Sequence, residues 1–151
     1  MRSLGLDVGT KTIGVAVSDE LGITVHGVTT IKRAGVRRDM AELRKIIEEL
    51  KPDRIVLGVP YLSSGALNNR GERIVDFGER VESEFGIPVV HWDESFSTVE
   101  AERFLIEADV SRKKRRKVVD KMAALVILRE YLESAKAGEG GGREGGKARN
   151  D

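Results

Sequence analysis

The chain contains no cysteine, which excludes disulfide bridges and every zinc or iron–sulfur site built on thiolates. That absence fits a reducing compartment. An excess of charge of either sign is missing as well: 26 basic and 25 acidic side chains leave a formal net charge of +1. Attraction to a polyanion must therefore come from uneven placement of charge along the fold. No apolar run approaches the ~20 residues needed to cross a bilayer. Met1-Arg2-Ser3 leads directly into an apolar segment, so a signal peptide is not expected. The expected setting is cytoplasmic, with no membrane partner. What is present is 151 residues with 40% apolar content, enough for one compact domain with a sizeable core.

The apolar pattern predicts three consecutive antiparallel strands over Leu4 to Val8, Ile13 to Ser18 and Ile23 to Lys32, the last two joined by the hairpin signal Asp19-Glu20-Leu21-Gly22. Met40, Leu43, Ile46, Ile47 and Leu50 recur at helical spacing, with Asp39 as the expected N-cap. A short strand follows from Arg54 to Gly58, then a polar loop from Tyr61 to Gly71. A second helix is predicted from Glu72 to Phe85, closed by Gly86 and Pro88. Val89 to Trp92 reads as the next strand, and Ser97-Thr98-Val99-Glu100 as the capping box of a third helix. A last helix is expected from Val118 to about Ala137. The domain is thus expected over residues 1–137, and the Gly- and charge-rich residues 138–151 as a disordered tail. The order of elements describes a mixed α/β domain with a meander on one side of its sheet.

Three acids stand out. Asp7 sits among apolar residues on the first strand, a costly position unless the carboxylate is paired, hydrogen-bonded or bound to a metal. Glu94, beside Asp93, follows the C-terminal end of a strand, where open α/β sheets place their sites. Asp120 shares a helix face with Ala123, Ala124, Ile127 and Tyr131, which turns it toward the core. Each has an ordinary structural alternative: a cap on the Gly-Thr turn, a polar strand exit, and a complement to a helix dipole. Converging at one edge, the three would repel one another without a cation, and hard divalent ions prefer such oxygen ligands.

Arg112-Lys113-Lys114-Arg115-Arg116-Lys117 is an unbroken cationic run immediately before Asp120. A solvated loop is one reading. Phosphate backbones are held by Lys and Arg without regard to sequence, and a basic segment beside an acid cluster is what a nuclease requires. Lys11 and Arg70 are further candidates for phosphate contacts.

Together these pieces strongly resemble the YqgF family, associated with pre-16S rRNA nuclease activity and also described as Holliday-junction-resolvase-like. The matching stretches are Gly5-Leu6-Asp7-Val8-Gly9-Thr10-Lys11-Thr12-Ile13-Gly14-Val15-Ala16, Gly58-Val59-Pro60, Asp93-Glu94-Ser95-Phe96-Ser97-Thr98-Val99-Glu100-Ala101 and Asp120-Lys121-Met122-Ala123-Ala124-Leu125-Val126-Ile127-Leu128. They span essentially residues 1–135. The chain departs from the family at Ser95, where Arg is usual, and at Ser64-Gly65, where Asp-Gly is common.

The resemblance implies a ribonuclease-H-like fold, with a mixed five-stranded sheet and helices on both faces, and Asp7, Glu94 and Asp120 as an acidic triad. It implies phosphodiester hydrolysis dependent on Mg²⁺ or Mn²⁺, two ions being expected, with Asp7 bridging them. Lys11 and the segment from Arg112 to Lys117 would hold the scissile strand. The implied partner is nucleic acid, either pre-rRNA in ribosomal precursor particles or branched DNA, and the protein is expected as a monomer or homodimer. Two rival classes bear on this reading, and both fit the residues less well. A non-catalytic nucleic-acid-binding module would need no triad. An actin-like ATPase shares the Asp-x-Gly-Thr hairpin but needs a second domain that 151 residues do not supply.

Overall fold

Leu4, Leu6 and Val8 alternate with Gly5 and Asp7, the two-residue period of a strand, and β1 runs Ser3–Val8. The computed structural model describes residues 1–94, 112–136 and 143–144, the side chains of 112–121 and 143–144 excepted. β2 (Thr12–Ser18) returns antiparallel to β1, and β3 (Val25–Lys32) antiparallel to β2. The expected start of β3 at Ile23 is corrected to Val25. The Asp19 carboxylate takes the N–H groups of Ile23 and Thr24 at 2.7 and 3.3 Å, which draws both residues into the turn. Chiefly the Ile23 N–H, outweighing some desolvation, holds the Asp19 carboxyl below its usual pKa.

α1 spans Val36–Leu50 and β4 Arg54–Val59. α2 spans Asn69–Phe85 and β5 Val89–Asp93. β4 lies parallel to β1, and β5 parallel to β4. Residues Arg143–Glu144 form β6, a two-residue edge strand antiparallel to β5, so the expected five strands gain a short sixth. The order across the sheet is β3-β2-β1-β4-β5-β6. The anticipated capping box at Ser97 and most of the tail after Ala137 lie outside the described residues.

α3 spans Arg112–Lys136, which puts the cationic run into its first turns instead of a preceding loop. α2 also starts before Glu72. The Asn68 side chain accepts the Gly71 N–H at 2.9 Å and caps the helix, so Arg70 is helical. The far end of α2 follows expectation: Gly86 adopts the left-handed conformation at φ 67° and its N–H reaches the Glu82 carbonyl.

The sheet is covered on both faces. Leu4, Leu6, Val8, Ile13, Ile55 and Leu57 pack with Leu43 of α1 and Ile74 and Phe77 of α2. Ala16 and Val56 pack on the other face with Ala124, Ile127, Leu128 and Tyr131 of α3. Full burial of each large aliphatic side chain contributes about 1.5–3 kcal/mol. α3 runs antiparallel to β1 and β4: Arg54, at the start of β4, donates to the Tyr131 hydroxyl, and Ile127 lies over Gly58.

α3 comes close because the strands beneath it carry glycine. A Cβ on Gly5 would stand 2.9 Å from Leu128 Cβ and 3.0 Å from the Ala124 carbonyl oxygen. Both atoms are fixed to the helix backbone, so the whole helix would have to retreat. Gly5→Ala is expected to cost about 1–3 kcal/mol, read as a lowered melting temperature. An unchanged melting temperature would mean that α3 does not press on β1.

Candidate active site

The pleat of β1 decides which way Asp7 faces. Leu6 and Val8 point at α1 and α2 while Gly5 lies against α3, so Asp7, two residues beyond Gly5, is on the α3 side of the sheet. The strand then turns sharply, the Gly9 N–H donating to the Thr12 carbonyl at 2.8 Å. Arg33 clamps this turn. Its Nη1 donates to the Gly9 carbonyl at 2.8 Å, its Nε pairs with Asp39 at 3.1 Å, and its guanidinium lies over the Phe77 ring, 5.2 Å from the centroid.

Asp39 does not cap α1 as its position suggests. The helix starts earlier, at Val36, and Asp39 lies within it with only 1% exposure. Its carboxylate takes the Ala34 N–H at 3.0 Å and the Arg33 guanidinium. A buried carboxylate satisfied in this way fixes the cation that holds the β1–β2 turn.

Glu94 leaves the end of β5, its backbone N–H bonded to the Val59 carbonyl at 3.1 Å. β4 separates β5 from β1, so the two strands carrying the acids are roughly 10 Å apart. Between them is Gly58, one residue past the Leu6–Leu57 pair. With hydrogen in place of a side chain there, the Glu94 side chain can reach across to the Asp7 carboxyl, within hydrogen-bonding range. A Cβ on Gly58 would stand 3.3 Å from Glu94 Cβ and 2.5 Å from Ile127 Cδ1.

Glu94 is buried, at 6% exposure, and its Oε1 has no hydrogen-bond partner among the described residues. Burial raises its pKa above the ordinary carboxylate value, and the neighbouring Asp93 charge adds to the rise. The Asp7 contact and the Arg70 guanidinium oppose it. Two carboxyl groups at this range can share a proton, or they can hold a cation.

Residues 1–134 match the family model described as RuvX, Holliday junction resolvase. The chain belongs to the RuvX family. A relative from Clostridioides difficile (strain 630), described as "Putative pre-16S rRNA nuclease", is 54% identical over 132 residues, covering 87% of this chain and 94% of the relative. A relative of the same description from Geobacillus kaustophilus (strain HTA426) is 57% identical over 136 residues, covering 89% and 99%. Among solved structures, Thermus thermophilus RuvC in complex with a Holliday junction substrate superposes with a TM-score of 0.61 at 18% identity, covering 94% of this chain and 99% of that one. The fowlpox virus resolvase bound to Holliday junction DNA gives 0.58 at 15% identity, covering 89% and 99%. These two share the ribonuclease-H-like fold.

Within this RuvX-family fold, the structure brings Asp7, Glu94 and Arg70 together and leaves Lys11 exposed beside the β1–β2 turn. Asp120 belongs to α3, one turn before Ala124, and its side chain and those of residues 112–117 lie outside the described ones. Among the described residues, no group of three or more metal-ligating side chains gathers. Gly58 and the Arg33–Asp39 clamp were not singled out from the sequence. The signal for Gly58 existed in Gly58-Val59-Pro60, whereas the clamp joins residues from three elements and has no local signature. Among the described residues, no helix is long and apolar enough to cross a membrane.

The raised Glu94 pKa carries a sign. Between the ordinary value of 4.5 and the raised one, the folded chain binds more protons than the unfolded chain, so stability falls as pH rises through that window. Above it the metal-free fold bears the full cost of a buried charge. Glu94→Gln is therefore expected to raise the melting temperature of the metal-free protein at neutral pH and to flatten its decline from acid pH. A melting temperature lowered at pH 7 by this substitution would contradict the assignment.

Proposed function

We propose that the chain is a divalent-metal-dependent endonuclease that processes the 5′ end of pre-16S rRNA in the cytoplasm. The observation that carries this reading is the contact between Asp7 and Glu94 at the C-terminal ends of parallel strands. The relatives described as pre-16S rRNA nucleases support the choice of substrate. A second reading, cleavage of branched DNA, draws on the description of the family model.

The donor set fits a hard cation: both groups are carboxylates, and the buried Glu94 Oε1 lacks a protein partner among the described residues. Asp7, Glu94 and Asp120 would hold Mg²⁺ or Mn²⁺, with two ions the arrangement proposed. Bound there, the metal supplies Lewis-acid activation of the attacking water and neutralises charge on the leaving oxygen. The protein supplies the rest. β1 and β5 orient the two carboxylates, and Ile127 packs over Gly58 between them. Arg70, Lys11 and the segment from Arg112 to Lys117 offset the negative charge of the acids and hold the phosphates of the scissile strand.

The test offers two substrates with Mn²⁺: an RNA carrying the precursor end, and a four-way DNA junction. Cleavage of the RNA is expected, and a fall of about a hundredfold or more in Asp7→Asn and in Glu94→Gln. Mn²⁺ is also expected to raise the melting temperature of the wild type and not of Asp7→Asn, by preferential binding to the folded state. Cleavage of the junction alone would move the assignment to a resolvase. Tight binding without cleavage in Mn²⁺ would leave a non-catalytic module, and full activity in Asp7→Asn would refute the carboxylate assignment.

A further inference from the structure

At the same end of the sheet as the carboxylates, but on its α1–α2 face, a cavity of about 460 Å³ opens between the β1–β2 turn, the start of α1 and one face of α2. Its volume is in the range of small-ligand pockets, about 300–1,000 Å³. Val8, Val36 and Phe77 give it an apolar floor, and Val36 is 39% exposed there. Arg70, Arg73 and Arg80 line it as well. Spaced three and seven residues apart along α2, they fall on one stripe of the helix.

These three arginines are exposed and, among the described residues, in no ion pair. Arg33 and Arg44, in contrast, are matched to Asp39 and Glu84. Asp76 is the one carboxylate among the lining residues besides this cationic row, so the rim keeps a positive excess. An apolar floor under a guanidinium rim suits a ligand that is flat and apolar on one part and anionic on another. A nucleotide has that division: its base stacks on apolar and guanidinium surfaces, and its phosphate pairs with arginine. The base must be unpaired, because in a duplex both of its faces are occupied by stacking.

We propose that this cleft is a subsite for one unpaired nucleotide of the substrate strand, adjoining the scissile phosphate. Position argues for the adjacency. The cleft opens on the α1–α2 face at the β1–β2 turn that follows Asp7, and from there Arg70 both lines the cleft and acts on Glu94. The inference rests on the nuclease reading above and narrows its substrate to nucleic acid with single-stranded character beside the cut.

The experiment compares two fluorescent RNA probes by anisotropy, a blunt duplex and the same duplex with a short single-stranded extension, with Ca²⁺ in place of the catalytic ion. The wild type is expected to bind the extended probe about tenfold more tightly. Arg73→Ala combined with Arg80→Ala should remove that preference. So should Val36→Glu, which puts an acid on the cleft floor at a helix N-terminus where the dipole tolerates it; melting curves check that both variants fold. Equal wild-type affinity for the two probes, or a preference that survives in both variants, overturns the subsite and leaves the nuclease reading standing. Failure of the wild type to bind either probe overturns both.

Discussion

The contact between Asp7 and Glu94 constrains the rest of this molecule. Two carboxyl groups from strands two positions apart meet in a buried place, where bare negative charges would repel each other at a high energetic cost. Such a contact requires a gap in the strand between them, and Gly58 provides it. α3 closes over the same glycine through Ile127. The same absent side chain therefore serves packing and chemistry. Filling it would push the helix away and crowd Glu94 in one step.

The two faces of the sheet divide the work accordingly. On the α1–α2 side, large aliphatic side chains fill the space between sheet and helices. On the α3 side the large side chains come from the helix, Ile127, Leu128 and Tyr131, and pack on small strand residues, Ala16 and Val56, with Gly5 beneath Leu128 and Gly58 beneath Ile127. Glycine and alanine on the strands bring α3 close to the sheet. Arg33 then ties the β1–β2 turn to α1 through Asp39 and to α2 through Phe77, so the strand end bearing Asp7 is anchored from the opposite face.

Much of this was legible in the residue pattern. Alternation of apolar residues marked the meander and the two parallel strands, and an acid within or just beyond an apolar strand marked Asp7 and Glu94. The helix starts were harder. Asp39 has the chemistry of a cap, but its carboxylate is taken by Arg33 and by the backbone of Ala34, partners that only the folded chain brings near. Asn68-Asn69-Arg70 looks like loop because its residues are polar, yet the first Asn is the cap of α2. The part played by Gly58 depends on the register of β4 against β1, which is settled by tertiary pairing of Leu6 with Leu57. The arginine stripe of α2 was hidden for a related reason: with α2 taken to begin at Glu72, Arg70 stood in a loop, out of phase with Arg73 and Arg80.

Charge placement follows from the chemistry at the carboxylates. A site that gathers acids repels a polyanionic substrate, so cations must outnumber acids around it for phosphate to approach. A chain with net charge +1 can meet that need only by concentrating its basic residues near the site. Arg70, Arg73 and Arg80 of α2 gather on one side. Arg70 stands where the two demands meet, since its field favours the ionised form of Glu94 and its guanidinium faces the cleft. Loss of that one charge would make the Glu94 carboxylate harder to ionise.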